Sequence, residues 1–106
     1  MNRATRRGFP VTAWSAVNSL GTSTQEVISA LRRGVPCLSG PPPNTPFETI
    51  CGRVDDDLTP LAGGLGEYDS RNNRLVQRGL SELEEPLSAA RDRWGADRIG
   101  ICVGSS

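Results

Sequence analysis

The residues of this chain that could do covalent chemistry are three cysteines, Cys37, Cys51 and Cys102. A cysteine becomes a nucleophile when a cation, a helix N-terminus or a base lowers its pKa. The usual base is histidine, and the sequence contains none. Ser-His-Asp and Cys-His catalysis within this chain are therefore excluded. Three cysteines at wide spacing, with no CxxC, suit neither a zinc ribbon nor a disulfide framework. Cys51 lies near Arg53 but has no base beside it, and Cys37 sits among prolines. Cys102 is expected in the middle of an apolar strand, where burial would raise its pKa and leave it structural.

Two other patterns could bind a ligand. Asp55-Asp56-Asp57 offers three carboxylates to a hard cation. A calcium loop of the EF-hand type needs alternating ligands and a Glu at the twelfth position, and that position is Gly66. A solvated acidic turn is the expectation. Gly63-Gly64-Leu65-Gly66 does not match GxGxxG and reads as a flexible turn. No metal or other cofactor is expected.

The elements that must position these residues follow from periodicity and punctuation. Residues 10–17 read as a strand by alternation, and Asn18-Ser19-Leu20-Gly21 as a turn. Residues 23–33 have a complete helix signature. Ser23 and Glu26 form a capping box, and Val27, Ile28 and Leu31 form an apolar face. Arg32 and Arg33 fall in the last turn, Gly34 suits the left-handed stop, and Pro36 blocks continuation. Residues 35–48 hold five of the eight prolines and read as a surface loop. Residues 49–54 read as a short strand. Residues 70–94 read as one long helix capped by Ser70 and closed by Gly95. Its stripe of Val76, Leu80, Leu83, Leu87, Ala90 and Trp94 keeps phase across Pro86, which predicts one bent helix buried along that stripe. Residues 98–103 read as a strand covered on both faces. Residues 1–8 are basic and polar and read as a frayed terminus.

Composition sets the bounds. The chain has 106 residues, and Leu, Ile, Val and Phe make up about 22% of it, just above the level of roughly 20% that marks disorder. A core is possible but thin. Twelve basic residues, all Arg, balance twelve acidic ones. Zero net charge argues against a nucleic-acid partner. No stretch is long and apolar enough for a membrane span or a signal peptide. A cytoplasmic protein with reduced thiols is the default expectation.

Four segments in order carry a resemblance. Val11-Thr12-Ala13-Trp14-Ser15-Ala16-Val17-Asn18-Ser19-Leu20-Gly21 resembles the opening strand and turn, VTGxGxVxxxG, of the β-ketoacyl-acyl-carrier-protein synthases, condensing enzymes of the thiolase superfamily. Ala13 stands where that family often has Gly. Ala30-Leu31-Arg32-Arg33-Gly34 is similar to the end of the family's next helix. Asp69-Ser70-Arg71-Asn72-Asn73-Arg74-Leu75 is similar to a bacterial subgroup that includes synthases of aryl-polyene-type pigments. Arg98-Ile99-Gly100-Ile101-Cys102-Val103-Gly104-Ser105-Ser106 resembles the family's RIGVVxGTxTSG strand and loop.

The resemblance implies an α/β chain: one unit over residues 1–106, an incomplete thiolase-like fold with a short mixed sheet and a long helix packed on it. Strands 10–17 and 98–103 would share that sheet. The family's nucleophilic Cys accepts the acyl group as a thioester. Its two His residues assist decarboxylation of the malonyl carrier and stabilise the oxyanion. All three would lie beyond residue 106, so the chain resembles the opening quarter of such an enzyme and is expected to be inactive alone. The catalytic set within it is empty. The family's carrier-protein contacts match Arg71 and Arg74, with Arg78 one turn on, which implies an acyl carrier protein as partner. A homodimer or a complementing synthase chain is a further expected partner. The same arginines also fit a solvated face with Asp69 and Glu82 as local partners. A small non-enzymatic carrier-binding or synthase-partner module, or an unrelated α/β protein, would share these patterns.

Overall fold

The computed structural model describes residues 7–54 and 57–104. The expected frayed terminus therefore lies largely outside the described residues, as do two of the three carboxylates of the acidic turn. The described residues form a small mixed α/β protein with three α-helices and one two-stranded antiparallel sheet.

Helix α1, Thr24–Arg33, is the element whose start and stop agree with its sequence signals. Ser23 accepts the N–H of Glu26 at 3.2 Å, satisfying one of the orphan donors of a helix start. The Glu26 carboxylate reaches back to the N–H of Thr22 at 2.9 Å. Gly34 takes φ 65°, and Val35 and Gly34 donate back to Ala30 and Leu31. That pairing is a Schellman stop. The buried face differs from the expected one. Val27 and Ala30 are each 4% exposed, whereas Leu31 is 64% exposed.

The turn before α1 is also present. Asn18 and Gly21 exchange both backbone hydrogen bonds, at 3.0 and 3.1 Å. The side chain of Asn18 accepts from the N–H of Leu20, the local Asx bond that makes Asn a turn residue.

The strands are where sequence and structure part. Residues 10–17 and 99–104 belong to no strand and do not pair. The sheet is β1, Leu38–Ser39, with β2, Cys51–Gly52, in the register Leu38 to Gly52 and Ser39 to Cys51. The expected strand 49–54 thus survives as two residues. Its partner comes from the proline-rich loop, between Pro36 and Pro41, where backbone donors remain. Pro42 to Thr45 turns back through Asn44 at φ 68°, the position of a type II turn that tolerates Asn.

The expected single helix 70–94 is two helices. Helix α2 is Arg71–Ser81 and helix α3 is Glu84–Trp94. Pro86 supplies the reason. It has no N–H for the carbonyl of Glu82, and its ring crowds that carbonyl. The break falls at Glu82 and Leu83, which leaves Pro86 in the first turn of α3, where a missing donor costs little. Ser70 caps α2 by accepting from the N–H of Asn73, and Gly95 ends α3 at φ 84°. The expected buried stripe is not buried: Val76, Leu80, Leu87 and Trp94 are all exposed.

These differences have one physical origin, the lack of a shared core. Among the described residues only Val27 and Ala30 are buried. The radius of gyration is 18.2 Å, against about 13 Å for a compact domain of this length. The chain exposes 9473 Å², where a compact protein of its mass exposes about 5,700 Å². The long packed helix and the sheet shared by 10–17 and 98–103 do not form.

Candidate functional site

Helix α2 carries Arg71, Arg74 and Arg78, spaced three and four apart and so on one face. The helix turns this guanidinium face toward the irregular segments of the chain. Arg71 donates to the carbonyl of Val54. Arg74 grips Asp69 through both carboxylate oxygens at 2.6 Å and reaches the carbonyl of Leu58 at 3.4 Å. Arg78 donates through Nε to the carbonyl of Thr22 at 2.8 Å. A planar fork with several donors suits this bidentate and carbonyl-directed work. Val76 and Leu80 are displaced to the opposite side of α2, which explains their exposure.

Asp69 is fixed at the mouth of the site. The Arg74 fork holds its carboxyl below the usual carboxylate range, and the N–H of Leu61 adds to the effect. Arg74 is correspondingly raised by Asp69. The pairing favours the charged form of both groups.

The other end of α2 carries a second junction. Glu82 lies at the N-terminus of α1, where Thr24 donates both its hydroxyl and its N–H to the carboxylate. An anion at a helix start is favoured by the free N–H groups and the helix dipole. Around it, Ala16 donates its N–H to Thr24 Oγ1 at 3.0 Å, and Ser15 Oγ donates to the carbonyl of Gly79 at 2.8 Å. Segment 15–24 is thus laced to the C-terminal half of α2 by polar bonds. Between the two junctions lies a cleft of about 370 Å³, bounded by Thr22, Leu58, Arg74, Gln77, Arg78 and Ser81.

This arrangement can position and bind, but it holds no nucleophile with a base. Cys37 and Cys51 are half-buried and Cys102 is exposed, so the expected burial of Cys102 in a strand is corrected. Cys51 points its thiol at the carbonyl of Gly40 at 3.6 Å. Among the described residues no group of acidic or cysteine side chains could hold a metal ion. No helix among them is long and apolar enough to cross a membrane.

The sequence pointed to Arg71 and Arg74 and offered Asp69 and Glu82 as their partners. Asp69 does pair with Arg74. Glu82 instead takes Thr24, a contact no local spacing shows because 58 residues separate them. The hint available was the run Thr22-Ser23-Thr24: only Ser23 is needed as the cap, which leaves two hydroxyls for other work. No family model, curated protein or solved structure matches this chain.

The Glu82 junction makes a pH prediction. Its carboxyl is held below its usual value, first by the Thr24 hydroxyl, then by the Thr24 N–H, with the Arg78 charge assisting. A depressed carboxyl stabilises the fold above the pH where an unfolded glutamate titrates, and that contribution is lost as pH falls through the folded value. The amide resonance of Thr24 is therefore expected to shift with a midpoint below about 4.3, the ordinary glutamate value. Glu82→Gln abolishes that titration and leaves the Asp69–Arg74 pair in place. A Thr24 amide that titrates unchanged in Glu82→Gln would refute the junction.

Proposed function

We propose that this chain is a non-catalytic opening portion of a condensing enzyme of the β-ketoacyl-acyl-carrier-protein synthase kind, with an incomplete thiolase-like fold. On this reading, further polypeptide supplies the nucleophilic Cys and two His residues for decarboxylative condensation of an acyl thioester with a malonyl carrier. The observation that carries the reading is the order of the four resembling segments. Two structural features support it. The turn at Asn18–Gly21 and the capped α1 stand in the resembling order. The segments that resemble the family's strands are apolar and uncovered, with Val11 and Ile101 both above 80% exposed; strands without neighbours would be left in that state.

The test is the nucleotide sequence after the codon for Ser106, read in all three frames. The reading expects a Thr-Ser-Gly continuation, a Cys at a helix start and two later His residues. A downstream stretch lacking them overturns it.

An acyl carrier protein is the partner this reading supplies, with Arg71 and Arg74 as its contacts. Arg71 is the cleaner probe, because it is exposed and its internal partner is a carbonyl, not a carboxylate. Arg71→Glu is expected to weaken carrier binding at least tenfold at low salt, mostly through the association rate. Unchanged binding of an acidic carrier protein in a titration would remove Arg71 from the interface. Arg74→Glu alone is less informative, since it also places a like charge against Asp69.

A further inference from the structure

The run Arg7-Gly8-Phe9-Pro10-Val11-Thr12-Ala13-Trp14 is exposed throughout and belongs to no helix or strand. Within it Phe9, Val11 and Trp14 are 93%, 81% and 58% exposed. An uncovered apolar run of this kind marks contact with another surface. Its C-terminal end is fixed. Ser15 Oγ donates to the carbonyl of Gly79, and the N–H of Ala16 donates to Thr24. From that point residues 7–14 reach about 26 Å when extended.

Charge says which surface. The first 25 residues hold Arg3, Arg6 and Arg7 and no Asp or Glu; the first acidic residue is Glu26. The other exposed apolar side chains stand beside acids. Phe47 precedes Glu48, Ile101 follows Asp97, and Glu82, Glu84 and Glu85 lie between Leu80 and Leu87. The chain as a whole is neutral, so the cationic character is local to the apolar run. A fitting surface is negative on the outside and apolar just beneath. An anionic lipid bilayer is both. Its headgroups attract Arg, and the headgroup boundary suits Phe and Trp, which need an apolar side and a wet side. A folded acidic protein supplies the charge without the apolar layer.

We propose that residues 7–14 dock this chain on an anionic lipid surface, with Phe9, Val11 and Trp14 entering the headgroup boundary and the arginine charge drawing them there. The segment lies on the bilayer and does not cross it, being far shorter than the roughly 20 residues of a spanning helix. Binding is reversible, as for a single lipid anchor. The proposal concerns the 106-residue chain itself and does not rest on the condensing-enzyme reading.

The test is the fluorescence of the full chain carrying Trp94→Phe, which leaves Trp14 as its one tryptophan. It is titrated with phosphatidylcholine vesicles containing about 30% phosphatidylglycerol, and with phosphatidylcholine vesicles alone. A blue shift of Trp14 emission is expected on the anionic vesicles, with at least tenfold weaker binding to the neutral ones. Phe9→Ser/Val11→Ser should weaken anionic binding at least tenfold. Arg6→Gln/Arg7→Gln should weaken it about fivefold for each arginine removed. Phe9 and Val11 are already in solvent, so the helical signal should not change. No shift at about 1 mM lipid, equal binding to both vesicles, or binding indifferent to Phe9→Ser/Val11→Ser would each overturn the proposal. The same shift on soluble polyglutamate would also overturn it and assign the segment to an acidic protein.

Discussion

Val27→Asp is expected to remove the hydrogen-exchange protection of α1 and with it about a third of the helical signal. Val27 and Ala30 are the buried residues among those described, each 4% exposed. A ten-residue helix does not persist alone in water, because nucleation costs more than so short a run of bonds returns. α1 therefore depends on this buried face and on its caps. An uncompensated carboxylate there must ionise at a cost of several kcal/mol or drive the helix off the chain. The milder Val27→Ala removes two methyl groups, about 2 kcal/mol by transfer and cavity terms together. The measurement is amide exchange across residues 27–34, with far-ultraviolet circular dichroism for the amount of helix. Helices α2 and α3 have no buried residue and should keep their exchange rates. Protection of α1 surviving in Val27→Asp would mean that its caps and polar bonds alone hold it.

What could be read in the sequence was local. Ser23, Glu26 and Gly34 specify α1 within a dozen residues, and the structure uses all three. Asn18 and Gly21 specify their turn, Ser70 caps α2, and Gly95 stops α3 in the same way. These signals act between neighbours in the chain, so no tertiary partner is needed to realise them. The strands failed for the converse reason. Alternation at 10–17 and the apolar run at 98–103 describe faces fit for a sheet, but a strand exists only when another backbone pairs with it. The short two-stranded sheet that did form pairs Leu38 with Gly52 and Ser39 with Cys51, inside and beyond a proline-rich loop.

Residues 70–94 differ from the sequence expectation in two further ways. The apolar spacing keeps phase through Pro86, yet phase records only direction around the axis and is blind to a missing hydrogen bond at Glu82. The stripe also looked buried because apolar faces usually are. Here it is the arginine face that turns toward the rest of the chain, since Val54, Leu58 and Thr22 offer carbonyls and Asp69 a carboxylate within its reach. The residues of the candidate site were thus legible as Arg71 and Arg74. Their present role was not, because every partner but Asp69 lies 16 or more residues away in sequence.

Gly21→Val should uncouple α1 from α2. Gly21 is required by crowding and not by a left-handed backbone. A side-chain carbon there would sit 2.5 Å from Glu26 Cβ and 3.2 Å from the Glu26 carbonyl carbon. Backbone cannot swing aside as a side-chain tip can, so the first turn of α1 must shift. That shift strains the paired bonds of Gly21 with Asn18 and the bond from Thr22 to Glu26. Overpacking of this kind costs about 1–3 kcal/mol, which corresponds to roughly a 5- to 160-fold loss of exchange protection in α1. The displacement also carries Thr22 and Thr24 away from Arg78 and Glu82. The Thr24 amide titration should therefore move up toward the ordinary glutamate value. Gly34→Ala is the control. It strains the stop of α1 at φ 65° by about 1 kcal/mol, at the end remote from Glu82. It should lower α1 protection while leaving the Thr24 titration where it was. If both variants moved that titration equally, the junction would be following the overall stability of α1. If only Gly21→Val moves it, the close approach of Gly21 to Glu26 is what aligns α1 with the carboxylate at its N-terminus.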